Sequence, residues 1–237
     1  MKRTFIILFI LLACIGCDND RNAPTPDIET ELQHPDWHIL RAPKNREIYA
    51  VHGDIDGTLL ISDRFRIYFT KDKGKTWTLS DYNPGIGLAG FAVSNDTIFV
   101  LDTESSSSAD PGNRYASRPY YFSIDGGETW KELKQRPGSP EMQTPINYAF
   151  SGNGIRFSID QVIQSNGMIN YLGIKTENGR KIAIPYRHVL NSINFDRKSR
   201  LYVTASRPFC DLNGNVEFCD QEDFRGTLYV SKKNIDF

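Results

Sequence analysis

Apolar and polar positions alternate along most of the chain in the short pattern that is typical of β-strands. Runs rich in β-branched and aromatic residues are separated by turn dipeptides, and no stretch beyond residue 17 has a sustained helical period. Such runs include 47–52, 58–62, 90–93 and 97–101, with turns at 56–57 and 95–96 between them. The pattern predicts an all-β fold.

Two copies of an eight-residue turn motif follow strand-like runs. Residues 70–77 read TKDKGKTW and residues 123–130 read SIDGGETW, which both fit the pattern S/T-x-D-x-G-x-T-W. In such a turn the aspartate accepts hydrogen bonds from nearby amides, the glycine takes a positive φ, and the tryptophan returns the chain to a core. The motif residues are Thr70, Asp72, Gly74, Thr76 and Trp77 in the first copy, and Ser123, Asp125, Gly127, Thr129 and Trp130 in the second.

This motif resembles the Asp-box (BNR) repeat of sialidase-like β-propellers, where it joins the third and fourth strands of a blade. The resemblance implies a structural role, because in those families the boxes lie on the face opposite the active site. The two copies are roughly 50 residues apart, and degenerate copies at 175–182 and 231–237 continue that period. Four such units predict a small propeller of four blades, each with four antiparallel strands.

The last repeat unit stops after its third strand, at about residue 231. A segment at 36–41 begins beside Trp37, the residue type expected after a box. We therefore expect this N-terminal segment to supply the missing fourth strand and close the ring, which removes open sheet edges. A five-bladed ring or part of a larger propeller is the alternative.

Residues 1–17 resemble a bacterial lipoprotein signal peptide. Lys2 and Arg3 precede an apolar run at 5–12 that is too short to span a membrane, and small residues then precede Cys17. In such signals the cysteine after the cleavage site carries the lipid. The resemblance implies a protein anchored in the bacterial cell envelope and facing the periplasm, with the choice of membrane leaflet left open.

The four cysteines bear on which residue is lipidated. If Cys17 carries the lipid, Cys14 leaves with the signal peptide. Cys210 and Cys219 then remain to form a disulfide in an oxidising compartment. If Cys14 carries the lipid, Cys17 is left as an odd thiol. We therefore expect Cys17 to be lipidated, with Cys14, or a signal peptide without any lipid, as the alternatives.

The segment after the signal peptide differs in composition from the rest of the chain. Residues 18–35 are polar, contain three prolines and have no periodicity, which predicts a flexible tether ahead of a propeller domain at 36–237. The chain carries 28 basic and 29 acidic residues. This balance indicates neither nucleic-acid binding nor an electrostatic membrane patch.

Two long insertions interrupt the repeat, at 103–118 in the second blade and 207–225 in the fourth. Both fall between a second and a third strand, so both are expected on the face opposite the boxes. Four consecutive serines predict disorder in the first insertion, and the expected disulfide predicts order in the second. Arginine and aromatic residues are frequent interface anchors, and the candidate partner-binding residues are Arg114, Tyr115, Arg118, Tyr120, Arg207, Phe209, Phe218 and Arg225.

Catalytic signatures are weak throughout the sequence. The segment 65–68 reads FRIY and resembles the Phe-Arg-Ile-Pro motif of sialidases, but it lacks the proline and adjoins the first box. The histidines at 34, 38, 52 and 188 are dispersed, without metal-ligand spacing. We therefore expect no enzymatic activity, no metal and no cofactor.

The sequence thus predicts a lipid-anchored binding protein that holds a protein partner between 103–120 and 207–225. Small envelope lipoproteins often neutralise a toxin delivered by a neighbouring cell, so an immunity protein bound to such a toxin is the specific hypothesis. A factor for assembling an envelope complex fits the same residues. Glycan recognition through surface aromatic side chains is the alternative from a different class.

Overall fold

The structure is a computed structural model that describes residues 31–32, 34–107, 109–134, 142–212, 215–219 and 223–235. The predicted signal peptide, Cys14, Cys17 and most of the predicted tether lie outside the described residues. In the described part of the chain, no helix is long and apolar enough to span a bilayer.

Twenty strands make up the described secondary structure. In chain order they are β1 (Glu31–Leu32), β2 (Trp37–Arg41), β3 (Ala50–Gly53), β4 (Leu59–Ser62), β5 (Ile67–Thr70), β6 (Thr78–Leu79), β7 (Gly90–Ser94), β8 (Thr97–Ser107), β9 (Asp110–Ser123), β10 (Lys131–Glu132), β11 (Gln143–Pro145), β12 (Tyr148–Phe150), β13 (Arg156–Ile163), β14 (Ile169–Thr176), β15 (Lys181–Ile182), β16 (Leu190–Phe195), β17 (Leu201–Ala205), β18 (Phe209–Leu212), β19 (Asn215–Phe218) and β20 (Thr227–Ser231).

Four antiparallel sheets form the blades of a closed ring. Blade 1 is β3-β4-β5-β6, blade 2 is β7-β8-β9-β10, blade 3 is β12-β13-β14-β15, and blade 4 is β16-β17-β20-β2. The first strands contact one another around the axis, β3 with β7 and with β16, and β16 with β12, while β11 contacts β7. The protein is therefore a four-bladed β-propeller with four strands per blade, as the repeat period predicts.

The N-terminal strand closes the ring, as predicted. β2 pairs with β20 from Trp37 opposite Ser231 to Arg41 opposite Thr227, so it supplies the fourth strand of blade 4. β1 then pairs with β2 on the outside, Glu31 opposite Leu40. This short strand lies within the segment 18–35 that the sequence predicts to be a tether. The sheet therefore begins before the predicted domain boundary at residue 36. The sequence pattern does not reveal β1, because a strand of two residues is too short to show a periodic alternation.

A tryptophan lies at three of the four blade interfaces. Trp77 packs between blades 4 and 1, Trp130 between blades 1 and 2, and Trp37 between blades 3 and 4. Between blades 2 and 3 the cluster is smaller and centres on Leu101, Ala116 and Ile146. This interface is therefore built differently from the others.

The first insertion, at 103–118, is the reason why the interface between blades 2 and 3 differs from the others. β8 and β9 continue through it as one long antiparallel hairpin, so the expected disorder is wrong for the described residues; Ser108 lies outside them. The ladder shifts register near Arg118, whose φ is +63°. Beyond this point the hairpin packs against its own blade, and a Cβ at Gly90 would lie 2.7 Å from the Cβ of Ala116. β11 pairs with the same stretch of β9, so the insertion fills the space between blades 2 and 3.

Candidate functional site

Each Asp box is held by its own side chains. In the first, the Thr76 amide donates to Asp72 Oδ1 over 2.9 Å and the Thr76 hydroxyl donates to Oδ2 over 2.6 Å. In the second, the Thr129 amide and hydroxyl donate to Asp125 over 3.0 and 2.5 Å. Burial raises the pKa of Asp125, but these hydrogen bonds outweigh it and hold the pKa at about 2. Both aspartates are therefore ionised and used as structural acceptors.

The box glycines fasten each blade to the one before it. A Cβ on Gly74 would lie 2.8 Å from Leu40 of blade 4, and a Cβ on Gly127 would lie 2.6 Å from Leu60 of blade 1. Both glycines have positive φ, +83° and +95°. The turn at 176–180 lacks this contact, since a Cβ on Gly179 would meet nothing within 4 Å. The degenerate third box thus lies at the interface between blades 2 and 3, which the first insertion fills.

Two faces of the ring follow from the strand order. The box face carries the Asp boxes and the turns between first and second strands, such as 54–57 and 95–96. The insertion face carries the connections between second and third strands and the links between blades. Both insertions belong to the insertion face, and their blades, 2 and 4, are opposite each other in the ring.

Three of the predicted partner-binding residues on the first insertion are engaged within the protein. Arg114 bonds Glu104 Oε1 and the Asn191 carbonyl, both over 3.0 Å. The hydroxyls of Tyr115 and Tyr148 are 3.1 Å apart. Tyr120 is buried, with 9% of its surface accessible. Arg118 is exposed, so it is the predicted residue of this hairpin that remains open to a partner.

The second insertion forms a compact hairpin with a mixed arginine and aromatic surface. Cys210 and Cys219 form the predicted disulfide, with Cα atoms 4.7 Å apart. Phe209 stacks on Phe218 at 4.6 Å.

Two arginines complete this surface. The Arg207 guanidinium lies over the rings of Phe218 and Phe224. Arg225 pairs with Asp223 through Nε, at 2.9 Å. The four predicted residues of this insertion therefore lie close together, with Phe224 exposed beside them.

A third hairpin on the insertion face is absent from the sequence-based prediction. Strands β13 and β14 extend past their neighbours, since β12 pairs only with residues 156–158 and β15 only with 174–175. The ribbon at 161–172 therefore protrudes. Its exposed apolar residues are Val162, Ile163, Met168, Ile169 and Leu172. Pairs of large apolar residues on both sides of the polar turn at 164–167 are the signal that indicates this surface.

Exposed apolar side chains are concentrated on the insertion face. Of the twelve large hydrophobic residues exposed in the described part of the chain, nine lie at connections of this face. They are the five residues of the ribbon together with Phe65, Ile86, Tyr186 and Phe224. The three on the box face are Val93, Ile124 and Phe150.

The central axis is narrow at the insertion face and wide at the box face. Arg114, Glu104 and Asn191 border a cavity of only about 50 Å³ at the narrow end. At the box face the axis opens into a cavity of about 700 Å³. Among the described residues, no group of three or more histidine, cysteine, aspartate or glutamate side chains is placed to hold a metal ion.

Comparison with known proteins yields structures of low similarity. No family model and no curated protein matches the chain. A streptogramin B lyase structure is 14% identical with a TM-score of 0.27, over 77% of this chain and 58% of that protein. The calcium-binding protein regucalcin from Agrobacterium tumefaciens strain C58 is 14% identical with a TM-score of 0.37, over 83% of this chain and 95% of that one. YCF48 bound to D1 peptide is 14% identical with a TM-score of 0.33, over 84% and 73%.

Proposed function

We propose that this propeller is a non-catalytic binding protein that holds a protein partner on its insertion face. The observation that carries the proposal is the sidedness of exposed apolar residues, nine of which lie on this face against three on the other. Contiguous exposed apolar surface is costly in water and typically marks an interaction site. Arginine and aromatic side chains beside it, as around Arg207, are the usual anchors of such interfaces.

The protruding ribbon is the main contact in this proposal. Ile163 and Met168 at its end are 68% and 63% exposed. At its base Leu172 and Tyr186 border a groove of about 150 Å³ that can receive an apolar side chain. The contact surface therefore differs from the predicted one at 103–120, since three of the four predicted anchors there, Arg114, Tyr115 and Tyr120, are engaged within the protein.

The cellular role in this proposal comes from the sequence. A lipid on Cys17 tethers the propeller in the envelope, and the insertion face then meets proteins in the periplasm. A toxin delivered by a neighbouring cell is the candidate partner, which makes the protein an immunity protein.

A pair of matched variants tests the face. Ile163 and Ile124 are both 68% exposed and lie on opposite faces. Ile163→Asp is expected to weaken capture of the partner at least tenfold in affinity purification from native envelopes, because a buried unpaired carboxylate costs several kcal/mol. Ile124→Asp is expected to leave capture unchanged. The reverse pattern shows that the face is misassigned.

Mass spectrometry of the captured material tests the partner class. A secreted toxin that co-purifies with the wild type and not with Ile163→Asp supports the immunity role. If subunits of an envelope complex are captured instead, the assignment of the binding face stands, but the protein is an assembly factor and not an immunity protein. A third outcome is that no protein is captured, while the wild type is retained on immobilised polysaccharide and Ile163→Asp is not. This outcome replaces the protein-binding proposal with glycan recognition.

A further inference from the structure

The cavity at the box face is a site that the proposed partner binding does not use. It has a volume of about 700 Å³, within the usual range of small-molecule sites. Blades 1, 2 and 4 contribute most of its wall, and Thr144 of β11 lies in its lining. The cavity therefore lies on the axis, on the opposite side of the ring from the protruding ribbon.

The two carboxylates that line this cavity, Asp54 and Asp196, belong to an ion-pair network with groups outside its lining. Arg200 donates to Asp196 Oδ2 and to Asp56 Oδ2 over 2.7 Å in each case, and it also pairs with Asp54. Lys198 pairs with the carboxylates of Asp54 and Asp56 at 3.3 and 2.8 Å. Lys73 adds a further contact to Asp56 at 3.1 Å. Three carboxylates are thus balanced by three cations.

Arg197 is an additional positive charge that this ion-pair network does not neutralise. It lines the cavity, is exposed, and has no ion-pair or hydrogen-bond partner among the described residues. His52 also lines the cavity, and burial together with the Arg197 charge lowers the pKa of its imidazole to about 4. His52 is therefore neutral at pH 7, so it adds no charge of its own. The net charge at this end of the cavity is positive.

Apolar side chains also line the cavity, namely those of Phe91, Ala92, Val93 and Phe195, and Val93 is 46% exposed. Threonine and asparagine side chains at Thr58, Thr144 and Asn194 supply hydrogen-bonding groups in the same lining. The lining thus combines one unpaired guanidinium with apolar side chains, which complements a ligand that has an anionic group on an aromatic body.

We propose that the box-face cavity binds a small aromatic carboxylate, with the carboxylate on Arg197 and the ring against Phe91, Val93 and Phe195. A guanidinium binds a carboxylate through two parallel hydrogen bonds, which fixes the orientation of the ligand. This site is independent of the protein partner proposed for the insertion face.

The test uses 2-naphthoate as the probe and 2-naphthalenemethanol as its neutral analogue. Binding to the full-length protein is followed by NMR at the His52 ring and the Val93 methyl groups. Saturable shifts with 2-naphthoate are expected, with at least tenfold weaker binding of the alcohol. Arg197→Gln is expected to weaken 2-naphthoate binding about tenfold and to leave the alcohol unaffected.

Two controls separate this site from the insertion face. Arg66→Gln removes an exposed arginine from the other face, and Ile163→Asp disrupts the proposed partner surface; both are expected to leave 2-naphthoate binding unchanged. Absence of shifts at His52 and Val93 overturns the proposal. Equal binding of the two probes, or an Arg197→Gln variant that binds 2-naphthoate as the wild type does, also overturns it.

Discussion

The box glycines show how a local turn becomes a joint between blades. Gly74 and Gly127 need positive φ for the turn, and each also leaves space for a leucine of the preceding blade. The structural role of the motif is therefore twofold, within its own turn and across the interface. Gly179 has the first property, with φ +84°, and lacks the second.

This difference allows a matched prediction. Gly127→Ala and Gly179→Ala both introduce a Cβ at positive φ, which costs about 1–2 kcal/mol. At Gly127 the new Cβ also meets Leu60, which is only 1% exposed and has no room to move. Overpacking adds about 1–3 kcal/mol, so Gly127→Ala is expected to be the more destabilising in urea denaturation. Equal losses for the two variants contradict the clamping role of the box.

His188 makes stability depend on pH. Its Nδ1 lies 2.8 Å from the Ser206 carbonyl, so Nδ1 carries the proton and Nε2 accepts from the Tyr229 hydroxyl. Burial lowers the pKa of His188 to about 4. The unfolded chain protonates near pH 6.5, so the stabilisation is complete above pH 6.5 and is lost as the pH falls towards 4.

The expected loss from this one histidine is roughly 3 kcal/mol between pH 7.5 and pH 4. Urea denaturation of the wild type and of His188→Gln over that range measures it. The variant is expected to be less stable at pH 7.5 and to have a shallower pH dependence, because the other titrating groups are common to both. Parallel curves for the two proteins contradict a neutral buried His188.

At the scale of elements, the sequence predicts what depends on nearby residues. The turn of the Asp box lies within eight residues, and the hydrogen bonds that Ser123 and Asp125 make within the second box join residues at most four positions apart. The packing of Ala116 on Gly90 joins residues that are far apart in the sequence. No sequence motif indicates this contact or the bend at Arg118. For that reason the first insertion reads as a disordered loop from its serines, whereas it folds onto the ring.

Removal of the first insertion is therefore expected to destabilise the fold. The disorder predicted from its serines implies that the protein stays folded when a short Gly-Asn turn replaces the insertion. In the structure, that replacement of 104–117 removes Ala116 from the interface and the hydrogen bond from the Ile146 amide to the Arg114 carbonyl, 2.9 Å. We expect a loss of about 2–4 kcal/mol in thermal or urea unfolding.

The second insertion provides the control for that experiment. β18 and β19 form a two-stranded sheet of their own, joined to the ring by the bridge between Arg187 and Phe209. Replacement of 210–219 by the same Gly-Asn turn is expected to change the unfolding free energy by less than the first replacement. A larger loss from the second replacement contradicts the assignment of the first insertion as the filler of the blade interface.

For the molecule as a whole, the position of a functional surface depends on features that no single motif contains. The four-bladed ring and its closing strand follow from the repeat period and from Trp37, so the sequence predicts them. The ribbon protrudes because β13 and β14 are longer than the strands beside them. The axial cavity forms because residues of blades 1, 2 and 4 meet at the axis. No motif marks Arg197. Apolar pairs flank the turn next to Ile163, but the exposure of both residues is known only once the ring is built.

Ring closure by β2 gives the prediction that concerns the whole molecule. Trp37, Ile39 and Leu40 are at most 4% exposed, and burial of each such side chain contributes about 1.5–3 kcal/mol. β2 also covers the edge of β20 through five residue pairs, and Leu40 receives the box at Gly74. Loss of this strand therefore removes stability comparable to the total of a typical domain, about 5–15 kcal/mol.

A chain that begins at residue 43 is expected to lose cooperative thermal unfolding, whereas a chain that begins at residue 34 is expected to retain it because it keeps β2. Since β20 then presents an open edge with Leu228, Tyr229 and Val230 behind it, added peptide 34–42 is expected to restore a cooperative transition in the shorter chain. Calorimetry of the two truncated proteins, with and without the peptide, measures both effects. Cooperative unfolding of the shorter chain alone shows that the ring holds without its N-terminal strand and that the other three blade interfaces carry its stability.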